Sequence, residues 1–125
     1  VYADRKRIFQ ALSNLIVNSI VYGKEGGKTV VSFLDLDENV LIEVRDNGIG
    51  IARKDIPRIF ERFYRADKSR SREQGGTGLG LAIVKHILDG HNSKAEVQST
   101  PGSGSVFSFK LPRVRPDGDP DAKNA

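Results

Sequence analysis

The chain has 125 residues, which is the size of one domain and is long enough to bury a core without extra cross-links. It contains no Cys, which excludes a disulfide scaffold, thiolate metal ligands and thiol catalysis. It also contains no Met, so we expect a fragment of a longer protein. No apolar run approaches the roughly 18 residues that a membrane span requires.

The net charge of +4 comes from one short stretch of the chain. Residues 62–72 hold five of the 20 basic side chains and one of the 16 acidic ones, so the remainder is neutral. A nucleic-acid binder usually spreads Lys and Arg along a stripe. The confined charge therefore favours a compact anionic partner such as a polyphosphate.

The first half of the chain predicts one helix and two strands. Asp4 is a candidate N-cap, and apolar residues at helical spacing follow it until the glycines that begin at Gly23. Residues 28–35 and 39–46 are rich in β-branched and aliphatic side chains, with an acidic turn between them. This pattern predicts an antiparallel strand pair.

The second half predicts two more helices and two more strands. Residues 55–63 indicate a short helix with Pro57 in its first turn, and residues 79–88 a longer helix ended by Gly90. Residues 66–76 have almost no apolar content and predict a mobile loop. Strands are expected over residues 94–99 and 105–111, followed after Pro112 by a disordered tail.

Adjacent strands without crossover helices favour an α+β fold. We expect a two-layer α/β sandwich, with a mixed, mostly antiparallel sheet and about three helices on one face.

The first cluster of candidate functional residues lies on the first helix. Asn14 and Asn18 are four residues apart, on or near one helix face with Val21 and Tyr22. Two amides on a largely apolar helix are costly unless they find partners. They could bond to nearby backbone, or their oxygens could serve a Mg²⁺ or phosphate site.

The second cluster, residues 46–51, follows a predicted strand. Its glycines, Gly48 and Gly50, allow the backbone to approach a ligand closely, and an ionised Asp46 can only accept hydrogen bonds. A tight turn with a local Asp hydrogen bond explains the pattern as well.

The third and fourth clusters adjoin each other. Residues 75–81 are glycine-rich and open directly into a helix, where bare amides form an anion site, although a flexible hinge has the same composition. The segment lacks the Gly-Lys-Ser/Thr ending of a P-loop and does not follow a strand. The basic stretch over residues 62–72 ends close to it and is preceded by Phe60. The alternative interpretation of this basic stretch is a solvated surface loop.

In this order the clusters resemble the catalytic, ATP-binding domain of bacterial sensor histidine kinases, which has the Bergerat ATP-binding fold. The matching segments are residues 14–22 (N box), 46–50 (G1 box), 60–65 (F box) and 76–81 (G2 box), with residues 99–105 and 111–112 also fitting. The resemblance covers residues 1–112. We expect these to form the domain, truncated at its N-terminal edge, and residues 113–125 to form a polar tail.

The resemblance implies a role for each matching residue. Asn18 would ligate a Mg²⁺ that bridges the ATP phosphates, Asn14 would support the phosphates, and Asp46 would accept from the adenine amine. An ATP lid would span residues 66–76. Arg65, just before the lid, and Arg70, within it, would lie near the γ-phosphate and form the catalytic set with Asn14. The other implied ATP-binding residues are Tyr22, Gly48, Gly50, Ile51, Tyr64, Gly76, Thr77, Gly78, Leu79, Gly80, Leu81 and Ser105.

The resemblance also implies a reaction and partners. The γ-phosphoryl group would pass to a histidine on the dimerisation and phosphoacceptor domain of the same kinase, and then to a response regulator receiver domain. His86 and His91 do not lie in a phosphoacceptor motif, so the acceptor is expected outside this chain. The parent would be a homodimer anchored in the bacterial inner membrane, with this domain on the cytoplasmic side, and nucleic acid is not an expected partner.

Two positions separate this chain from its relatives. The family usually has Lys or another polar residue where this chain has Val21, so one phosphate contact is absent. Gyrase-like and Hsp90-like ATPases have a Glu general base where this chain has Asn14, which cannot take a proton. The alternatives are a degenerate nucleotide-binding or partner-binding regulatory module, and a nucleic-acid binder using residues 62–72.

Overall fold

A computed structural model of the chain describes residues 3–64 and 79–113. The elements in chain order are helix α1 (Arg5–Val21), strands β1 (Thr29–Asp35) and β2 (Asn39–Asp46), helix α2 (Gly80–Asp89), and strands β3 (Glu96–Thr100) and β4 (Gly104–Pro112). The four strands and these two helices follow the predicted order, and the bounds of β2 are those that the sequence predicts. The predicted helix between β2 and α2 does not form in the described residues. None of the helices in the described ranges is long and apolar enough to cross a membrane.

The four strands form one sheet in the order β1-β2-β4-β3, and every neighbouring pair is antiparallel. The α+β fold class is thereby confirmed. β1 forms one edge of the sheet, where Val30 and Phe33 are more than half exposed.

The helices cover one face of the sheet and enclose the core. Successive strand residues point to opposite faces, so alternate residues of β2 and β4 face the helices. Those of β2 and β4 that are buried are Ile42, Val44, Phe107, Phe109 and Leu111, and the helices add Ala11, Leu15, Val84, Ile87 and Leu88.

The ends of the two helices are joined through His91. Asp4 caps α1, its carboxylate accepting from Arg7 N at 3.2 Å. The Asp4 N–H donates to His91 Nε2 at 3.0 Å, and His91 Nδ1 lies 2.8 Å from the Ile87 carbonyl of α2. Because Nε2 accepts, the ring proton resides on Nδ1 and is donated to Ile87. His91 therefore serves to join the two helix ends.

The predicted helix over residues 55–63 is wrong. Only a single 3₁₀ turn forms there, Ile56–Arg58. Phe63 adopts a left-handed φ of 66°, which ends any helix, whereas Pro57 lies in the first turn and is compatible with helical backbone. Ile59 is buried in the core, and the Phe60 ring meets Phe107 edge-on at 6.2 Å. The segment is held by this packing and by turn hydrogen bonds between residues three apart, such as those from Arg58 N to the Asp55 carbonyl and from Glu61 N to the Arg58 carbonyl, both at 2.9 Å.

Arg113 closes the far end of the sheet. Its N–H donates to the Glu38 carbonyl at 3.0 Å, its Nε donates to the Asp37 carbonyl at 2.8 Å, and its guanidinium pairs with Asp35. The hydrogen bond from Arg113, with one from Asp37 N, lowers the pKa of Asp35. The rest of the predicted tail lies outside the described residues.

Candidate nucleotide site

A row of polar side chains crosses the whole sheet at the end of β2. The strand registers pair Thr29 with Asp46, Asp46 with Ser105, and Ser105 with Ser99. These four residues stand two positions from core residues of their own strands, so they share the helix-facing side. We name Thr29, Asp46, Ser105 and Ser99 the polar row. Asp46 and Ser105 are the only members that the sequence analysis singled out.

Both ends of the polar row are anchored by hydrogen bonds. Thr29 Oγ1 bonds to Ser19 Oγ, which is buried on α1. At the other end, Ser99 Oγ lies 2.7 Å from Ser105 Oγ and accepts from Ile51 N at 2.7 Å. The row therefore ties α1, all four strands and the loop after β2 into one unit.

Asp46 is oriented by the loop that follows it. Its Oδ1 accepts from Gly48 N at 2.8 Å. A Cβ added to Gly48 would lie 2.3 Å from the Tyr22 carbonyl, and Ile49 N donates to the same carbonyl at 3.1 Å. The loop is thus packed against the end of α1, with the Tyr22 carbonyl beside it. The binding of ATP by Tyr22 stays a prediction.

The β3–β4 turn packs against the same loop. Gly50 has a φ of 74°, and an added Cβ would lie 2.3 Å from the Thr100 carbonyl. Gly102 N donates to the Ile49 carbonyl at 2.7 Å, and Lys24 Nζ donates to the Gly102 carbonyl at 2.8 Å. The space that a side chain would take at these glycines is filled by the protein's own backbone, so packing alone requires glycine there. The close approach of this backbone to a ligand stays a prediction.

The two asparagines of α1 lie toward α2. Asn14 Nδ2 donates to the Gly80 carbonyl over a long 3.4 Å. Asn18 is half-buried on the same side of the helix, and its amide makes no side-chain hydrogen bond to a residue of ranges 3–64 and 79–113. Asn14 thus bonds to a carbonyl 66 residues away and not to nearby backbone, and it links α1 to the start of α2.

Asn18 fits a shared Mg²⁺ site better than a self-sufficient one. The described residues contain no group of three or more His, Cys, Asp or Glu that could hold a metal. Mg²⁺ is commonly held by one or two protein oxygens together with water and substrate phosphates. A half-buried amide oxygen with no partner among the described side chains suits that arrangement.

Tyr64 is tied to the body of the domain. Its hydroxyl donates to the buried carboxylate of Asp55, and the Arg58 guanidinium stacks 4.5 Å above its ring. This hydrogen bond, with partial burial, raises the pKa of the Tyr64 hydroxyl. The hydroxyl of Tyr64 is thus paired with the residue just before the 3₁₀ turn, and the binding of ATP by Tyr64 stays a prediction.

The start of α2 is the described part of the glycine-rich cluster. Leu79 occupies its N-cap position without a side-chain cap, and Gly80 and Leu81 follow, all three half-buried. The other predicted residues of the lid and glycine-rich segment lie outside the described residues: Arg65, Arg70, Gly76, Thr77 and Gly78. The same holds for the predicted mobile loop over residues 66–76.

The sequence model of the family described as histidine kinase-, DNA gyrase B- and HSP90-like ATPase matches residues 3–115. The chain belongs to this ATPase family. The match spans α1, the whole sheet and the polar row.

Within this ATPase family, the chain is similar to sensor histidine kinases. It is 46% identical over 112 residues to the sensor-like histidine kinase SenX3 of Mycolicibacterium smegmatis, covering 90% of this chain and 29% of that protein. It is 44% identical over 115 residues to the sensor histidine kinase WalK of Bacillus subtilis, covering 90% of this chain and 19% of that protein. The chain thus spans less than a third of these relatives.

Solved structures of the ATPase family give the same fold. The mycobacterial sensor histidine kinase MprB superimposes with a TM-score of 0.78 at 28% identity, covering 90% of this chain and 76% of that one. The catalytic domain of the histidine kinase ThkA, in a nucleotide-free form, gives 0.75 at 34% identity, covering 90% and 71%. The histidine kinase resemblance of the sequence is confirmed.

The sequence analysis missed Ser19, Thr29 and Ser99. Each is an unremarkable hydroxyl residue in the sequence, and only the strand register places Thr29 and Ser99 in the same row as Asp46. The sequence offers only a weak signal for these residues, since their position beside the candidate site becomes visible only when the strand pairing is known. Lys24 was missed because its contact lies 78 residues away.

Proposed function

We propose that this domain binds Mg·ATP and donates the γ-phosphoryl group to a histidine on the phosphoacceptor domain of a parent sensor kinase. From that histidine the group would pass to an aspartate of a response regulator receiver domain. The observation that carries the proposal is the carboxylate of Asp46, held in the polar row at the edge of a loop that α1 and the β3–β4 turn fix in place.

Asp46 is suited to recognise the base. The Gly48 N–H holds Oδ1, so the carboxylate is oriented before a ligand arrives. Preorganisation of this kind reduces the entropy cost of binding. A carboxylate accepts hydrogen bonds and does not donate, which matches the exocyclic amine of adenine.

The phosphates would lie between the N box and the start of α2. Asn18 would offer its amide oxygen to Mg²⁺, with Asn14 beside it. The backbone amides of Gly78, Leu79 and Gly80 would bind the phosphate oxygens. The metal would supply neutralisation of phosphate charge. Arg65 and Arg70 are assigned to the γ-phosphate on the resemblance alone. Phosphoryl transfer depends chiefly on such positioning and charge stabilisation.

The phosphate acceptor is assigned to another domain. Asn14 cannot act as a base, so the nucleophile must be basic in itself, as a neutral histidine is. Both ring nitrogens of His91 are hydrogen-bonded to backbone, and His86 is exposed midway along α2. We assign the parent as a membrane-anchored homodimer with this domain on the cytoplasmic side.

Calorimetric titration with a non-hydrolysable ATP analogue, with and without Mg²⁺, tests the binding. The wild type should bind more tightly with Mg²⁺, and Asp46→Asn should weaken binding by about 10- to 100-fold, because a hydrogen bond to a charged group is lost. Asp89→Asn is the matched control, since it removes a carboxylate whose partner is the exposed Lys85. Equal affinity of wild type and Asp46→Asn would contradict the assigned pocket.

A transfer assay separates a kinase from a regulatory module. The chain alone should bind nucleotide without labelling itself, and labelled phosphate should appear on a histidine-bearing phosphoacceptor domain once that is added. Binding without transfer would favour the degenerate module. This chain has Val21 where the family usually has a polar residue, and the Val21 side chain is buried. A large gain in transfer from Val21→Lys would identify a weakened site.

A further inference from the structure

Ser99 is the most highly connected hydroxyl of the polar row. Its Oγ accepts from Ile51 N at 2.7 Å, lies 3.0 Å from the Gly104 carbonyl, and lies 2.7 Å from Ser105 Oγ. It is half-buried at the turn end of β3. One hydroxyl therefore makes hydrogen bonds with three groups at the same time.

The positions of the protons follow from the chemistry of these partners. A serine hydroxyl has one hydrogen and two lone pairs. The Ile51 N–H can only donate and the Gly104 carbonyl can only accept, so the hydrogen of Ser99 goes to Gly104. The bond with Ser105 must then be donated by Ser105. The reverse arrangement would leave the Gly104 carbonyl facing a lone pair at 3.0 Å.

This arrangement fixes what Ser105 can offer. Having given its hydrogen to Ser99, the Ser105 hydroxyl retains only lone pairs. Its register partner on the same face is Asp46, which also only accepts when ionised. Any group that approaches Ser105 from the Asp46 side, whether a ligand atom or a bridging water, must donate.

We infer that Ser99 is a positioning residue that holds Ser105 as a hydrogen-bond acceptor beside Asp46, so that this end of the pocket selects purines with a 6-amino group over those with a 6-oxo group. The inference rests on the proposed function and adds a second source of base selectivity to Asp46. A carbonyl at position 6 would face two acceptors, and an unpaired polar group in a partly buried site is costly.

The test compares ATP with inosine triphosphate, whose bases differ at position 6 in carrying an amine or a carbonyl. The dissociation constants of both are measured by calorimetry for the wild type, Ser99→Ala and Ser99→Thr. Ser99→Ala frees the Ser105 hydroxyl to rotate and donate, so the preference for ATP should fall by about tenfold. Ser99→Thr retains a hydroxyl and should keep the preference. Ser103→Ala, at an exposed serine of the same turn, should behave as wild type.

A merely structural role predicts a different pattern. Loss of the Ile51 and Gly104 bonds alone would weaken both nucleotides equally, and an unchanged ratio in Ser99→Ala would overturn the inference. If Ser99→Ala does not fold, Ser105→Ala decides, because removing the acceptor itself must also reduce the preference. A wild type that binds neither nucleotide overturns the proposed function and this inference together. A wild type that prefers ATP, with the ratio unmoved in the variants, overturns only the inference.

Discussion

Gly104 tests how closely β2 and β4 fit at the polar row. It has a φ of 122°, and an added Cβ would lie 2.0 Å from the Asp46 carbonyl oxygen and 2.8 Å from Asn47 Cα. Gly26 has a φ of 71° with nothing within 4 Å of an added Cβ. Replacing each by Ala therefore separates backbone strain, which both variants share, from the clash, which only Gly104→Ala suffers.

The expected costs differ by a measurable amount. Backbone strain alone costs about 1–2 kcal/mol in either variant. At Gly104 the two strands must also separate by about 1 Å, which sacrifices about two ladder hydrogen bonds at about 1 kcal/mol each. We expect a loss of about 3–4 kcal/mol for Gly104→Ala and about 1–2 kcal/mol for Gly26→Ala.

Urea denaturation followed by circular dichroism measures the difference. With a slope near 1.5 kcal/mol per molar urea, the midpoint should fall by about 2–3 M for Gly104→Ala and by about 1 M for Gly26→Ala. Because the clash lies on Asp46, Gly104→Ala should also weaken nucleotide binding, whereas Gly26→Ala should not. Equal losses of stability in the two variants would refute the argument that the backbones meet so closely at this row.

Two further predictions concern the ends of the fold. His91→Phe keeps an aromatic ring but removes both ring hydrogen bonds, so the free energy of unfolding should fall by about 1–2 kcal/mol and the thermal midpoint by about 5 °C or more; an unchanged midpoint would show that the link to Asp4 contributes nothing. Arg113 lowers the pKa of Asp35, so its contribution to stability is present above the ordinary carboxyl pKa and is lost as the pH falls through the lowered one. Stability measured by urea titration between pH 5 and about 2 should therefore depend less on pH in Arg113→Ala than in the wild type, and parallel pH profiles would contradict this.

The strands and long helices could be predicted because their signals are local. α1 has a capping aspartate and an apolar stripe, and β2 alternates between buried and exposed positions. The segment after Asp55 was wrongly predicted as a helix because its apolar residues suit one. Its conformation depends on the left-handed backbone of Phe63 and on the hydrogen bond of the Tyr64 hydroxyl to Asp55.

The motifs of the candidate site could be predicted from the sequence, but the residues that strand pairing brings beside them could not. Asp46 and the glycines stand out as a motif, but Ser99 becomes part of the site only through pairing across β4. Sequence spacing cannot supply that register, since Asp46 and Ser99 lie on strands that are not neighbours in the sheet and are related only through β4. The same limit hid Thr29 and its partner Ser19.

The two attachments between the helices have a mechanical consequence. Asp4 is bonded to His91 just beyond the C-terminal end of α2, and Asn14 is bonded to Gly80 at its N-terminal end. The helices are antiparallel and are fastened at two points, so neither slides along the other without breaking a bond. A pull on the chain where it enters at Asp4 would therefore shift α1 and α2 as one rigid lever. The second attachment is at Gly80, so a displacement at Asp4 would be transmitted to the start of α2, where the proposed function puts the phosphates.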